Sequence, residues 1–364
     1  LLITVILLLS LGLIMVLSAS SPTSLSETGD DSYVYFKKQA TFAVIGVAAM
    51  LFISKIDYRF WKKFYKIAYI ASIILLLMVL IPGIGRSAGG ARRWINLGIQ
   101  FQPSELAKIG LIIFYASYLT DHKDELKDFK KGFVKPLLYL IPVVLILILV
   151  QDHLSATIII VLVVGIMMLM AGVRPKYFAT VGTGVAVAGA AGLYAMAKFT
   201  SKGAFRIARI TSFLNPWADK QGDGWQVIQS LYAIGSGGLF GVGLGQSKQK
   251  YLYISEPHTD FIFAVLAEEL GFVGCAIVIG LFGIFIWRGV LAAMKAPDMF
   301  GSLVAVGITS LIGLQAIINI AVVTSSMPVT GMPLPFFSYG VTSLLILLCS
   351  VGVLLNISRA GTKV

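Results

Sequence analysis

The chain has 364 residues, of which 57% are hydrophobic and only 13% charged, with a net charge of +12 and a mean hydropathy of +0.89. That composition excludes a soluble globular protein and describes an integral membrane protein. Two cysteines inside apolar runs, the absence of any Cys-x-x-Cys pair and three scattered histidines exclude a disulfide framework and a Cys/His zinc site.

Apolar runs of about 18 or more residues mark membrane spans. Ten are expected, at roughly residues 1–18, 33–53, 64–82, 103–120, 136–150, 154–171, 177–198, 260–287, 301–324 and 340–357. The expected fold is an all-α polytopic membrane protein, one membrane domain over residues 1–364. The opening Leu-Leu-Ile-Thr has no initiator Met and begins within an apolar run, as in a trimmed chain. Leu1 to Leu17 lacks an Ala-x-Ala-like cleavage site, and more spans follow, so it is expected to be a retained helix and not a signal peptide. Between these spans one face collects Lys55, Arg59, Lys62, Lys63, Lys66, the lysines of 123–135, Arg174, Lys176, Arg288, Lys295, Arg359 and Lys363. By the positive-inside rule that face is cytoplasmic and carries both termini. Sixteen of the 29 basic residues are thereby explained as topology determinants, so no nucleic-acid partner is expected.

The remaining basic residues concentrate in two outer loops. Arg86, Arg92 and Arg93 precede the fourth span, and Lys202, Arg206, Arg209, Lys220, Lys248 and Lys250 lie in a large loop over residues 199–259. An anionic ligand such as a pyrophosphate is one motive for them; snorkelling to lipid headgroups is the other. The large loop is rich in apolar side chains and is expected to be ordered, with short interfacial helices over 203–213, bearing Arg206 and Arg209 on one face, and over 224–235. The glycines of 235–245 lack the Lys-Ser/Thr of a phosphate loop and suit bent, close-packed backbone. The proline-rich stretch from Met327 to Gly340 suits a re-entrant element lining a cavity at the outer face.

Four carboxylates, Glu256, Asp260, Glu268 and Glu269, fall within fourteen residues at one helix start, and charge at membrane depth is a functional hypothesis by default. Asp260 is placed in the first helical turn, either as a base whose burial raises its pKa or as a helix cap alone. Glu268 and Glu269 are roughly 12–14 Å further along the helix and about 100° apart, so they are not expected to face one cavity. Glu105 follows Pro103 and Ser104 at another helix start, three residues before Lys108, so the two share a face and can pair, structurally or around a ligand. Asp152-His153 suits a helix cap, and Gln315 and Asn319 suit interhelical hydrogen bonds. No Ser-His-Asp arrangement, metal motif or nucleotide fingerprint is present.

Arg92-Arg-Trp-Ile-Asn with Gln102-Pro-Ser-Glu-Leu-Ala-Lys108, Gly235-Ser-Gly-Gly with Gly243-Leu-Gly-Gln-Ser247, Glu256-Pro-His-Thr-Asp-Phe-Ile-Phe263, and Pro328-Val-Thr-Gly331 with Pro335-Phe-Phe-Ser-Tyr-Gly340 occur in this order over nearly the whole chain. Together they resemble the SEDS family (shape, elongation, division and sporulation), the polytopic peptidoglycan polymerases that include RodA, FtsW and SpoVE. The Gly-Leu-Gly-Gln-Ser-Lys-Gln-Lys segment and the closing Val-Leu-Leu-Asn-Ile-Ser-Arg resemble the division and sporulation branch more than RodA. The resemblance implies a glycosyltransferase of the bacterial cytoplasmic membrane. It would polymerise undecaprenyl-linked lipid II at the outer face and work with a class B penicillin-binding protein, a transpeptidase.

Asp260 matches the family's essential aspartate, and Glu105 and Lys108 its polar pair. Many members read Pro-Asp-x-Gly-Thr where this chain has Asp152-His-Leu-Ser-Ala-Thr157, so His153 takes the usual Asp position and no role passes to Asp152. Inverting displacement of a sugar pyrophosphate needs a base and cations. The candidates are Asp260 as base, with Lys108, Arg92, Arg93, Arg206, Arg209, Lys248 and Lys250 as phosphate partners. A divalent cation, Mg2+ or Mn2+, could share that work, held by Asp260 with phosphate oxygens and water; the sequence offers no dedicated cage. The competing functions are a flippase for the lipid-linked precursor and a noncatalytic division scaffold.

Overall fold

A computed structural model describes residues 1–88, 91–96, 100–183, 213, 215–218, 224–251, 253–254 and 257–361. The long helices arise where apolar runs exclude turn residues, since a spanning segment must satisfy its backbone internally. In chain order they are α1 (Leu2–Thr28), α2 (Val34–Ile53), the short α3 (Arg59–Lys62), α4 (Tyr65–Met78), α5 (Pro103–Asp121), α6 (Lys135–Leu145), α7 (Leu154–Ala171), α8 (Trp225–Gly237), α9 (Ile262–Met294), α10 (Met299–Val323) and α11 (Val341–Ala360). Single π-helical turns, Phe129–Val134 and Ile146–Val150, extend α6 at both ends.

Among the described residues seven helices are long and apolar enough to cross a membrane: α1, α2, α6 with its π turns, α7, α9, α10 and α11. α4 is shorter, at 14 residues, and α5 carries the polar start described below. Nine of the ten expected spans thus fall on helices. The tenth, 177–198, is helical as far as residue 183 and otherwise lies outside the described residues.

The chain is not all-α. Three short strands form an antiparallel sheet, β1 (Gly85–Ala88), β2 (Ala91–Asn96) and β3 (Gln100–Phe101), in the order β1-β2-β3. Gly85 pairs with Ile95 and Ile95 with Phe101, and Ile95 is fully buried. The strands are short, and pairing them satisfies backbone groups that a loop would leave to water. The expected helix over 224–235 is realised as α8, but it does not lie on lipid with its apolar face down. Its buried residues Val227, Ile228 and Ala233 pack on protein, chiefly α9, and Ser230 Oγ donates to the Val323 carbonyl of α10 at 2.7 Å. The expected helix over 203–213 lies almost wholly outside the described residues.

The basic ends of the helices meet one another. Arg59 pairs with Asp298 at 2.9 Å, Lys62 with Asp121 at 2.8 Å, and the Tyr177 hydroxyl donates to the Lys127 carbonyl at 3.0 Å. The opposite end holds the sheet, the turn before α7, α8 and the proline-rich segment 327–340. That segment is irregular and enters the bundle: Phe336 meets Phe285 of α9 edge-on and Phe337 is tilted against Phe282, with ring centroids 6.1 and 6.2 Å apart. A Cβ at Gly12, within α1, would stand 2.2 Å from the Phe336 carbonyl oxygen, so only glycine allows this approach.

Candidate functional site

Pro103 opens α5 after the extended Gln102, because proline's missing N–H and fixed φ suit the first turn. The same turn carries Glu105, whose Oε1 accepts from Lys108 Nζ at 2.7 Å. Lys108 is 5% exposed and lines a small space otherwise walled by apolar side chains such as Leu111, Ile112, Ile160 and Leu311, so its ammonium depends on Glu105 for charge compensation. Glu105 also faces a cavity of about 30 Å³, room for one water, walled by Gln315, residues 333–336, Ser338 and Ser343.

Arg93, on β2, reaches the turn before α7: Nε donates to the Gln151 carbonyl at 3.2 Å and Nη2 to the Asp152 carbonyl at 2.5 Å. Arg92 precedes it in the strand, where successive side chains face opposite ways, and is exposed. The Arg93 guanidinium thereby holds His153, the residue before α7, 7% exposed and 3.4 Å by Nε2 from Gln102 Nε2. Burial above all, then Arg93 and Lys108, pushes the His153 pKa down to about 3, so the imidazole is neutral. Its Nδ1 has no partner among the described residues, and His153 makes no side-chain cap bond to α7, contrary to the cap expected there.

Asp260 does not stand in the first turn of its helix. α9 begins at Ile262 with Phe261 as cap residue, and Asp260 sits in the turn before it, half-buried. That turn is held by the proline-rich segment. Asn319 Nδ2 donates to the Asp260 carbonyl at 2.8 Å and to the Met332 carbonyl at 2.6 Å. Ser338 Oγ donates to the Thr259 carbonyl at 2.6 Å, and Tyr339 N–H to the His258 carbonyl at 2.8 Å. Gly331 has φ +65°, and a Cβ there would lie 3.3 Å from Asp260 Oδ2, so glycine lets the carboxylate stand against this backbone. On the other side Ser155 Oγ, near the start of α7, donates to the Thr330 carbonyl. Thr330-Gly331 is therefore the partition between the Asp260 carboxylate and the start of α7, where His153, Arg93 and Lys108 lie. Asn319 bonds to loops and not to a neighbouring helix; Thr330, Gly331 and Ser338 fall in the proline-rich motifs singled out in the sequence, whereas Ser155 had no local sequence signal.

Lys250, expected as an outer-loop cation for phosphate, is instead found in a buried ion pair. It is 3% exposed, pairs with Glu269 Oε1 at 3.0 Å, and donates to Ser18 Oγ of α1 and the Gly245 carbonyl. A buried ammonium requires such a partner. Glu268 and Glu269 both bind one segment. Glu268 accepts from Ser247 Oγ and the Lys248 and Gln249 N–H groups, while Glu269 accepts from Ser18 Oγ and the Ser247 N–H. Residues 245–250 curl into the wedge between the two diverging side chains, so divergence does not separate them. The Lys248 side chain is exposed. Arg206, Arg209 and Glu256 lie outside the described residues. Among the described residues no three His, Cys, Asp or Glu side chains converge as a metal cage.

The chain matches the model of the cell cycle protein family FtsW/RodA/SpoVE over residues 1–363. It is 47% identical over 360 residues to the stage V sporulation protein E of Bacillus subtilis, covering 99% of this chain and 96% of that protein. It is 43% identical over 348 residues to a probable peptidoglycan glycosyltransferase FtsW of Geobacter sp., covering 95% and 92%. In structure it resembles a chain of a peptidoglycan synthase complex that coordinates polymerization and crosslinking, with TM-score 0.81, 28% identity and coverage of 100% and 98%. It also resembles the rod shape determining protein RodA of Thermus thermophilus, with TM-score 0.69, 28% identity and coverage of 98% and 95%.

Proposed function

The chain belongs to the FtsW/RodA/SpoVE cell cycle protein family, and from that membership we propose that it is a peptidoglycan glycosyltransferase of the division and sporulation branch. It is a multi-pass protein of the cytoplasmic membrane. In this reading it polymerises lipid II into β-1,4 glycan strands at the outer face, with both termini and the basic ends of the helices in the cytoplasm. A class B penicillin-binding protein is its partner, a role supported by the likeness to a chain of a peptidoglycan synthase complex.

The observation that carries the reading is the Thr330-Gly331 partition, with a half-buried carboxylate against one side and a cation-rich helix junction tied to the other. An inverting displacement needs these two chemistries side by side. Asp260 takes the proton of the acceptor hydroxyl, whose oxygen bonds to the donor's anomeric carbon on the face opposite the pyrophosphate. The bond from that carbon to the pyrophosphate oxygen breaks, and the undecaprenyl pyrophosphate leaves with the electron pair. Lys108 and Arg93 supply positive potential toward the departing charge, and pre-aimed charge in a dry site is the larger part of such catalysis. Glu105 holds Lys108 in place. Arg92, Arg206, Arg209 and Lys248 remain candidates for the donor's phosphates at the mouth of the site. The described residues form no protein cage for a divalent cation, and no step here runs through one.

The test is strand synthesis by purified protein supplied with lipid II, with and without the transpeptidase and with and without Mg2+ or Mn2+. Wild type makes glycan strands, and Asp260→Ala is slower by about 10²- to 10⁴-fold, the usual worth of a general base. Unimpaired synthesis by the variant removes Asp260 from catalysis. Lipid II scrambling in vesicles that survives the substitution, with no polymer from wild type, assigns a transporter. Full function of Asp260→Ala in cells assigns a scaffold.

A further inference from the structure

A second polar cavity, of about 350 Å³, lies at the basic end of the bundle, far from Asp260 along the helices. It is lined by Lys55, Asp57, Tyr58, Arg59, Pro297, Asn356 and Arg359, at the junction of the α2–α3 turn, the start of α10 and the end of α11. Its walls are fixed. Asn356 Oδ1 accepts from the Tyr58 N–H at 3.0 Å and its Nδ2 donates to the Ser54 carbonyl at 2.8 Å. The buried Tyr58 hydroxyl and Arg59 Nε both donate to Asp298 Oδ2, at 2.7 and 2.9 Å, and Asp298 Oδ1 also accepts from the Gly301 N–H. Asp298 is thus fully engaged, and Asp57 accepts from the Arg59 N–H. Lys55, Arg59 and Arg359 line this space, Arg59 already paired with Asp298, and Asp57 is the one lining carboxylate among the described residues.

We propose that this cavity binds the phosphate-bearing headgroup of an anionic phospholipid from the surrounding leaflet. The volume is that of a small-ligand pocket. Arginine and lysine set around a concave polar space are the chemistry that recognises phosphate. Phe52 and Phe60, 68% and 45% exposed, stand beside Lys55 and Arg59, and Phe64 is exposed one turn on. An exposed apolar flank next to a cationic cavity suits a ligand with acyl chains and disfavours a soluble anion. The basic end is the one assigned to the cytoplasmic side, where the leaflet is anionic and each nearby Lys or Arg contributes about 1 kcal/mol of attraction. The site holds the α2–α3 turn, α10 and α11 together, so an occupied cavity stabilises the fold. None of its residues takes part in the proposed chemistry, so it stands or falls independently of the glycosyltransferase reading.

The experiment titrates detergent-solubilised protein with phosphatidylglycerol, phosphatidylcholine or inorganic phosphate at low salt and follows Tm. Phosphatidylglycerol raises the Tm of wild type, and phosphatidylcholine and inorganic phosphate do not. Removing two cations in Lys55→Gln/Arg359→Gln weakens the apparent affinity about 30-fold, from ~1 kcal/mol per cation and 1.4 kcal/mol per tenfold. Lys130→Gln, an exposed lysine at the same end outside the cavity, leaves it unchanged. The single variants, each shifted part of the way, cover the case in which the double variant folds poorly. An equal response of the cavity and Lys130 variants overturns the proposal in favour of a diffuse surface field. A Tm rise with inorganic phosphate alone overturns it in favour of a soluble anion.

Discussion

At the scale of single residues, the burial of His153 has a measurable consequence. Gln102 Nε2 can only donate, so His153 Nε2 accepts and the proton sits on Nδ1, which has no partner among the described residues. Burial and the flanking Arg93 and Lys108 bring its pKa from 6.5 to about 3 in the folded protein. As pH falls below about 6.5 the unfolded chain takes up this proton and the folded one does not, so acid erodes stability progressively down to about pH 3. Measured between pH 7 and 5, the Tm of wild type should fall more steeply than that of His153→Asn, which has no proton to gain. Parallel slopes would mean that the imidazole titrates normally. The Glu105–Lys108 pair was legible beforehand because three residues on a helix fix neighbours locally. Arg93 with Asp152 and Asp260 with Gly331 were not, because those contacts join segments 59 and 71 positions apart, whose proximity no local pattern encodes. The Lys250 ion pair was hidden for the same reason: its partners Glu269 and Ser18 are distant in sequence, and an isolated lysine in an outer loop suggests a ligand.

At the scale of elements, the decisive feature is the break in α9 at Gly271, with φ 65° and ψ −166°, a conformation open essentially to glycine. Before the break, the start of the helix meets Asn319 of α10 through Asp260; at its end Glu269 meets Ser18 of α1. The first turns of α9 therefore bridge two other helices, and the backbone N–H groups of Phe272 and Val273 bond to the Gly238 and Leu239 carbonyls. A Cβ at Gly271 would stand 2.3 Å from the Gly241 nitrogen. Gly271→Ala should lower Tm and also slow strand synthesis, since the turn bearing Asp260 moves with this segment; backbone strain alone is about 1–3 kcal/mol. Gly280→Ala, further along the same helix where the added methyl meets nothing within 4 Å, should leave Tm unchanged or raise it, by up to ~1 kcal/mol of helix propensity. Matching shifts in the two variants would sink the hinge. Apolar runs made the long helices legible, and the glycine cluster announced bent backbone. The sheet β1-β2-β3 was hidden because three short strands held by one buried Ile95 carry too few residues for a period to emerge.

At the scale of the whole molecule, the two ends of the bundle differ in the chemistry that orients it. One end gathers the paired Arg59, Lys62 and Lys131 with the exposed Lys127 and Lys130; the other gathers the sheet, the proline-rich segment and the Asp260 turn. A reaction at the outer face requires the second end outside, and the lysine-rich end is the one that resists translocation. Orientation and mechanism thus make one prediction. Lys248→Cys, exposed in the loop anchored by Glu268, should react with a membrane-impermeant maleimide in intact cells. Lys130→Cys should react only after the membrane is opened. The native Cys275 and Cys349 are partly buried within helices, so they give a low background that Cys→Ser variants can remove. The reverse labelling pattern would put Asp260 in the cytoplasm, where a strand-forming reaction on the outer face could not use it.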